Sequence, residues 1–97
     1  MPRLQRADPE ARRFGAILRR LRDERGWTLI TFGRRAQMNP TYLGFLERGE
    51  NIPSLTVFLH LARVFAVDAA DWVHEIEVQN RPRAARVGET PGPASGP

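Results

Sequence analysis

The chain has 97 residues, no cysteine and a formal net charge of +4 from 15 basic and 11 acidic side chains, and every basic residue is arginine. The length favours one small domain, and the lack of cysteine excludes a disulfide scaffold and any cysteine-ligated metal site. No apolar run approaches the roughly 18 residues of a membrane span, and residues 1–10 lack the apolar stretch of a secretory signal. We therefore expect a soluble cytoplasmic protein.

The positive charge is concentrated towards the two ends of the chain. Residues 1–25 carry eight arginines and four acids (+4), residues 26–78 four arginines and six acids (−2), and residues 79–97 three arginines and one acid (+2). A surface that reads DNA normally concentrates positive charge, because phosphate neutralisation supplies much of the affinity. The basic total therefore permits nucleic-acid contact but does not argue for it.

Five short helices are predicted from their start and stop signals. The predicted N-caps are Asp8, Thr28, Asn39, Ser54 and Asp68. Proline follows the cap of the first and third helices, where its missing N–H has no partner to lose. Gly26 and Gly49 end those two helices. Because no segment alternates with period two for long, we predict an all-α domain of five helices.

Apolar residues at helical spacing predict one continuous core. The side chains expected to face inward are Phe14, Ile17, Leu18, Leu21, Phe32, Ala36, Leu43, Leu46, Leu55, Phe58, Leu61, Ala62, Phe65, Trp72 and Ile76. Trp27 also reads as a core anchor. Residues 8–78 then form the folded domain, with a flexible segment over 1–7. Residues 79–97 form a tail rich in arginine, proline and glycine that is predicted to be disordered.

Helices two and three are separated by about three residues, 37–39, which is the spacing of a helix-turn-helix. Four runs add to this spacing: R-D-E-R-G-W-T at 22–28, N-P-T-Y-L at 39–43, L-E-R-G-E at 46–50 and P-S-L at 53–55. Over about residues 10–76 the chain resembles the Cro/CI (XRE) helix-turn-helix family. The resemblance implies the five-helix fold of that family. It also implies a partly buried, structural ion pair between Arg22 and Glu47.

The same resemblance implies which positions would face DNA, namely Leu29, Pro40, Thr41, Gly44 and Phe45. Base edges are read by directional donors and acceptors, yet only Thr41 has a side chain that can hydrogen-bond. Gly44 and Gly33 lie inside predicted helices, where each costs about 1 kcal/mol relative to alanine. We expect Gly44 to flatten an exposed helix face so that another backbone can approach.

Two functional hypotheses follow. The first is a protein-binding regulator whose apolar helix face binds a transcriptional activator, and the chain is similar to the small QseM-type antiactivators of integrative and conjugative elements. Its predicted partner-binding residues are Leu29, Ile30, Pro40, Thr41, Gly44, Phe45 and Arg48. The second is a DNA-binding repressor that acts as a dimer. Its predicted contact residues are Thr28, Arg34, Thr41, Tyr42 and Arg48.

Three further points concern the oligomeric state, the arginines of the first helix and the two histidines. The apolar stripe could also form a homodimer seam, so the chain is a monomer or a homodimer. The arginines of the first helix form a solvated face or meet an acidic partner or phosphate; they are Arg12, Arg13, Arg19, Arg20 and Arg25. His60 and His74 lie on different helices and His60 is expected to be exposed, so we predict no metal, no cofactor and no catalysis.

Overall fold

The computed structural model describes residues 8–80, with only the backbone at positions 79 and 80. These residues form α1 (Pro9–Glu24), α2 (Leu29–Ala36), α3 (Pro40–Glu47), α4 (Leu55–Phe65) and α5 (Ala69–Asn80). Residues 8–80 contain no strand, which confirms the prediction of an all-α domain with five helices. Helix α5 continues to Asn80, past the predicted boundary at 78. The predictions for residues 1–7 and 81–97 lie outside the described residues.

The predicted caps begin the helices. Each cap side chain accepts a hydrogen bond from a backbone N–H in the first turn, at 2.8–3.1 Å; the capping residues are Asp8, Thr28, Asn39, Ser54 and Asp68. Each bond satisfies one of the N–H groups that a helix start leaves without an intrahelical partner. Local sequence signals therefore fix the helix starts before any packing is considered.

The turn between α2 and α3 is held by backbone contacts. Gln37 takes the left-handed conformation with φ of 59°, and the Met38 N–H donates to the Gly33 carbonyl at 2.9 Å. Gly33 is buried, and a Cβ at that position would lie 2.7 Å from the Met38 carbonyl oxygen. The glycine is therefore required by the close approach of the turn, a structural reason that spacing alone does not reveal.

The predicted core is largely confirmed. The buried apolar side chains are Ala11, Phe14, Ile17, Leu18, Leu21, Phe32, Ala36, Leu43, Leu46, Leu61, Ala62, Phe65 and Trp72. Trp72 stacks on Phe14 with ring centroids 4.9 Å apart, and half-buried Trp27 stacks on Phe65 at 5.4 Å. Both tryptophans therefore anchor the core, one at each end of α1.

Leu55 does not face inward as predicted. It is the first residue of α4, and its side chain is 69% exposed. Phe58 and Ile76, also predicted to be inward, are half-buried against the core. The helical spacing that includes Leu55 is correct, but the first turn of α4 extends past the edge of the core. Leu55 is therefore a surface residue.

Helix α1 lies directly against the carboxyl end of α3. Gly15 is buried in α1, and a Cβ there would collide with the carbonyl oxygens of Leu46 and Glu47. About two turns further along α1, Arg22 donates from Nε and Nη2 to the Glu47 carboxylate at 2.6 and 2.9 Å. Its Nη1 also donates to the Trp27 carbonyl at 2.9 Å. The implied Arg22–Glu47 pair is thus present, bidentate and tied to the start of α2.

The pair is shielded from water on both sides. The side chains of Arg22 and Glu47 are 12% and 6% exposed. The hydrogen bond to Glu47 raises the pKa of Arg22 above its ordinary value, although burial acts in the opposite direction. Arg22 is therefore charged throughout the pH range in which proteins fold.

We predict that Arg22→Leu destabilises the fold by about 3–5 kcal/mol, because it leaves the Glu47 carboxylate buried without its counter-charge. The measurement is the free energy of unfolding from urea denaturation. Arg19→Ala is the control, since Arg19 pairs with Asp23 at 3.6 Å while both side chains are mostly exposed (68% and 58%). Such pairs contribute about 1 kcal/mol or less. Equal losses in the two variants would contradict the structural role of the Arg22–Glu47 pair.

Candidate recognition surface

The start of α2 and the outer side of α3 meet at one contact. A Cβ on Gly44 would lie 3.5 Å from Leu29 Cδ1 and 3.3 Å from Arg48 Nη1. Two side chains, one from α2 and one from the end of α3, therefore border the space directly above the glycine. We use "recognition surface" for Leu29, Ile30, Pro40, Thr41, Gly44, Phe45 and Arg48.

The expected role of Gly44 as an open platform is wrong. Gly44 is buried, and Leu29 lies over it while also packing against the core. A glycine here lets the leucine side chain of α2 settle onto the α3 backbone. The effect is to join the two helices rather than to admit a partner's backbone.

Two apolar side chains on this surface remain accessible. Ile30 is 60% exposed and Phe45 is 37% exposed. They are the chain neighbours of Leu29 and Gly44, so they flank the point where α2 and α3 touch. Pro40 is half-buried and Thr41 is exposed. The apolar character predicted for this surface is therefore present, but it rests on Ile30 and Phe45 rather than on Leu29.

Arg48 is held by its neighbours on the same surface. Its guanidinium carbon lies 5.1 Å from the centre of the Phe45 ring. Its Nε and Nη2 donate to the Glu50 carboxylate at 3.2 and 3.4 Å. Because Glu50 offsets the charge of Arg48, this part of the surface has no net positive charge with which to attract phosphate.

The basic side of α1 is also largely compensated. Arg20 pairs with Glu75 at 2.7 Å, and Arg19 pairs with Asp23 at 3.6 Å. Arg25 donates to the carbonyls of Leu21 and Phe65 at 3.0 and 2.8 Å. Arg25 is thus a structural link between α1 and α4, not a member of a solvated basic face.

Comparison with known proteins supports the helix-turn-helix fold. Residues 13–74, most of the chain, match the family described as "Helix-turn-helix domain". The chain belongs to this family. The helix-turn-helix domain is 38% identical over 60 residues to the HTH-type transcriptional regulator DdrOP3 of Deinococcus deserti. That match covers 62% of this chain and 46% of the regulator, so the chain spans about half the length of that relative.

Solved structures of a second regulator share the arrangement of helices. A crystal structure of the clp gene regulator ClgR from Corynebacterium glutamicum aligns with the helix-turn-helix domain at a TM-score of 0.68 and 26% identity, over 76% of this chain and 96% of that one. Another ClgR structure aligns at 0.67 and 26% identity, over 81% and 84%. This likeness agrees with the assignment of the chain to the helix-turn-helix domain family.

Some of the residues predicted to contact DNA already have a structural role within the domain. The Thr28 hydroxyl accepts the Thr31 N–H at 3.1 Å and so serves as a cap. Tyr42 is half-buried and packs against the core. Arg34 and Thr41 are exposed. Of the five predicted contacts, Arg34 and Thr41 are the two that neither cap a helix, nor pack on the core, nor join the Arg48–Glu50 pair.

Other chemistry is limited among residues 8–80 of the helix-turn-helix domain. No group of three metal-ligating side chains lies together there, and none of the described helices is long and apolar enough to cross a bilayer. His60 is exposed as expected, but its Nε2 lies 2.8 Å from the Ala36 carbonyl oxygen. His60, on α4, therefore contacts the carbonyl of the last residue of α2.

A separate apolar groove escaped the sequence analysis. It lies between α1, the segment before α4, α4 and α5, and its lining includes Ile52, Leu55 and Val73. Sequence analysis assigned Leu55 to the core and gave no role to Ile52 or Val73. The available signal was that Ile52 precedes α4 and Val73 lies outside the predicted inward spacing of α5, so the predicted core needs neither apolar side chain.

We predict that Leu29→Ala lowers the free energy of unfolding by about 1–2 kcal/mol, because it opens a gap between Leu29 and Gly44. Ile30→Ala, at the neighbouring exposed position, should change it by no more than about 0.5 kcal/mol. Urea denaturation of both variants supplies the comparison. If Leu29→Ala left the free energy of unfolding unchanged while Ile30→Ala lowered it, the packing at the start of α2 would not be as described.

Proposed function

We propose that this helix-turn-helix regulator acts by protein–protein interaction, binding a transcriptional activator through its recognition surface and blocking it. The observation that carries the proposal is the Phe45–Arg48–Glu50 cluster. An aromatic ring lies exposed where family members that read DNA usually carry a hydrogen-bonding side chain. The one arginine on that side of α3 stacks on the ring and pairs with a carboxylate.

The composition of the recognition surface suits a protein partner. Protein interfaces are enriched in aromatic residues and arginine at their centre, with polar groups at the rim. Phe45 and Ile30 supply apolar area, and Arg48 supplies directed donors whose position is already restricted by Glu50. Such pre-ordering lowers the entropy lost on binding.

The same surface is poor in groups that distinguish bases. Specific readout in the major groove uses side chains such as glutamine, asparagine and arginine, which make paired hydrogen bonds to base edges. In the recognition surface only Thr41 and Arg48 have hydrogen-bonding side chains. Arg48 would have to leave Glu50 and Phe45 before reaching a base.

The alternative is a DNA-binding repressor that acts as a dimer. The named relatives favour it, since one is an HTH-type transcriptional regulator and another regulates clp genes. Exposed Thr41 and Arg34 could contact the DNA backbone, and Phe45 could contact a thymine methyl group. In this alternative the affinity would come mostly from phosphate contacts.

We predict that Phe45→Asp weakens binding to the activator by about 30-fold or more, as expected for a central aromatic contact worth about 2 kcal/mol. The activator is first recovered from the native host with the wild-type chain. It is then purified and titrated with each variant, while a reporter driven by that activator measures the block.

Leu59→Asp is the matched control. Leu59 lies on α4 and is 36% exposed, close to the 37% of Phe45. This variant introduces the same charge at a similar exposure on α4, outside the recognition surface, and should leave the affinity for the activator unchanged. Undiminished binding by Phe45→Asp, with its fold verified by circular dichroism, would refute the proposed binding surface.

We further predict weak, sequence-independent binding to DNA. Fluorescence anisotropy with the DNA upstream of the chain's own gene, titrated across salt concentrations, should show similar affinity for that DNA and for a scrambled duplex. Tight binding that prefers the upstream DNA by about 1000-fold or more, and that is lost in Thr41→Ala, would instead establish the repressor alternative.

A further inference from the structure

The ends of α1 and α4 and the last turn of α2 meet at two aromatic rings, and each ring has a guanidinium group against it. The rings of Trp27 and Phe65 lie 5.4 Å apart at an interplanar angle of 25°. The guanidinium carbon of Arg35 lies 5.2 Å from the centre of the Trp27 ring. That of Arg25 lies 4.8 Å from the centre of the Phe65 ring. Two arginines from different helix ends therefore share one aromatic cluster.

The same four residues, together with Val64 and Ala66, border a depression of about 430 Å³. Both arginines are exposed, whereas Trp27 and Val64 are half-buried. None of the described residues that line the depression is acidic. The depression therefore combines an apolar floor with two cationic groups, and its lining has no carboxylate to neutralise them.

Arg25 is fixed in place and still has donors to offer. Its Nη1 donates to the Leu21 carbonyl at 3.0 Å, and its Nη2 donates to the Phe65 carbonyl at 2.8 Å. These bonds use two of the five N–H groups of a guanidinium, and the side chain is 31% exposed. The Glu24 carboxylate lies 3.9 Å away, beyond hydrogen-bond distance, and also pairs with Arg20. Arg25 is therefore a positioned cation with N–H groups left for an external acceptor.

Arg35 has no acidic partner among residues 8–80. In that part of the chain, carboxylates pair with Arg20, Arg22 and Arg48. Arg35 instead lies against the ring of Trp27, and the N–H groups of a guanidinium lie in its plane and point away from its faces. Such a planar fork matches the two oxygens of a carboxylate. Because the ring already restricts Arg35, a carboxylate that binds it orders less than it would on a freely rotating arginine.

This combination of groups identifies the chemistry of the ligand. Two guanidinium groups favour an anion, and the apolar floor favours an apolar group next to that anion. An acidic protein segment supplies both, since an aspartate or glutamate can lie beside a leucine or a valine. A phosphodiester backbone has no such group, and a nucleic acid base would compete with Arg35 and Phe65 for the ring of Trp27. The observations therefore favour an acidic peptide over nucleic acid.

We propose that Arg25, Trp27, Arg35 and Val64 form a binding site, here called the arginine site, for an acidic segment of a partner protein. A carboxylate of that segment accepts hydrogen bonds from both guanidinium groups, and an adjacent apolar side chain covers Trp27 and Val64. The inference does not rest on the proposed function, because no residue of the recognition surface lines the depression.

The test titrates the full 97-residue chain into a fluorescein-labelled peptide in which aspartate and leucine alternate, with fluorescence anisotropy at low salt. The peptide should bind with a dissociation constant below about 1 mM. The same peptide with asparagine in place of every aspartate keeps the apolar groups and should bind at least about 10-fold more weakly, because it lacks charge-assisted hydrogen bonds. Equal binding of the two peptides, or no binding of the acidic peptide up to about 1 mM, would overturn the proposal.

Substitutions at Arg35 test the geometry of the site. Arg35→Ala should weaken binding of the acidic peptide by about 10-fold or more, and it keeps the fold because alanine favours the helix. Arg35→Lys keeps the charge but not the planar fork, and should still weaken binding by about 3-fold or more. An affinity of Arg35→Lys equal to that of the wild type would mean that charge alone is used, and would overturn the site.

Arg63→Ala is the matched control. Arg63 is exposed and lies in the last turn of α4, as Arg35 does in the last turn of α2, but it does not line the depression. Its loss should change the affinity by no more than about twofold, since solvent and salt screen a charge outside the contact. Equal weakening by Arg63→Ala and Arg35→Ala would contradict a specific site.

The indole N–H resonances of the two tryptophans locate the bound peptide by NMR. The Trp27 signal should shift during the titration, whereas that of Trp72, which is 3% exposed and does not line the depression, should stay in place. Binding that leaves the Trp27 signal unchanged would place the peptide elsewhere and overturn the proposal. A DNA duplex that displaces the peptide and shifts Trp27 at lower concentration would identify nucleic acid as the ligand and would also overturn it.

Discussion

The position of α1 on the end of α3 determines the rest of the domain. Gly15 lets the two backbones come within contact distance, and Arg22 then reaches Glu47 with two hydrogen bonds and the start of α2 with a third. Neither feature is effective alone, since a side chain at position 15 would push the helices apart and separate the charges. Because α3 and the start of α2 are both oriented from this point, the geometry of the recognition surface follows from it.

Two polar side chains at the start of α2 and the end of α3 make their hydrogen bonds within the domain. A surface that reads DNA keeps its donors and acceptors available until the bases arrive. Among the predicted DNA contacts, Thr28 caps a helix and Arg48 is held by Glu50 and Phe45, whereas Arg34 and Thr41 are exposed. The exposed apolar area of Ile30 and Phe45 gains free energy when another apolar surface covers it.

The sequence predicts the helices well because their starts depend on local signals. Caps such as Asp8 and Asn39 act within one turn, and apolar spacing identifies a core residue such as Leu18 without knowledge of its neighbours. The sequence fails where the answer depends on how far a helix extends past the core, as at Leu55, or on which residue covers another, as at Gly44. The roles of Gly33 and Arg25 also depend on such contacts. Gly33 is required because the Met38 carbonyl of the turn lies close to it, and Arg25 donates to the Phe65 carbonyl, which is 40 residues away in the chain.

The packing of Leu29 over Gly44 has a consequence for substitutions at either position. The two positions lie on different helices, and a Cβ on residue 44 would lie 3.5 Å from Leu29 Cδ1, so the site has room for alanine but not for a longer side chain while Leu29 stays in place. A glutamine at position 29 would bring a polar amide over the buried glycine, and a larger residue at position 44 would push the leucine outward. A substitution that changes the chemistry of this surface at position 29 therefore also changes the packing between α2 and α3.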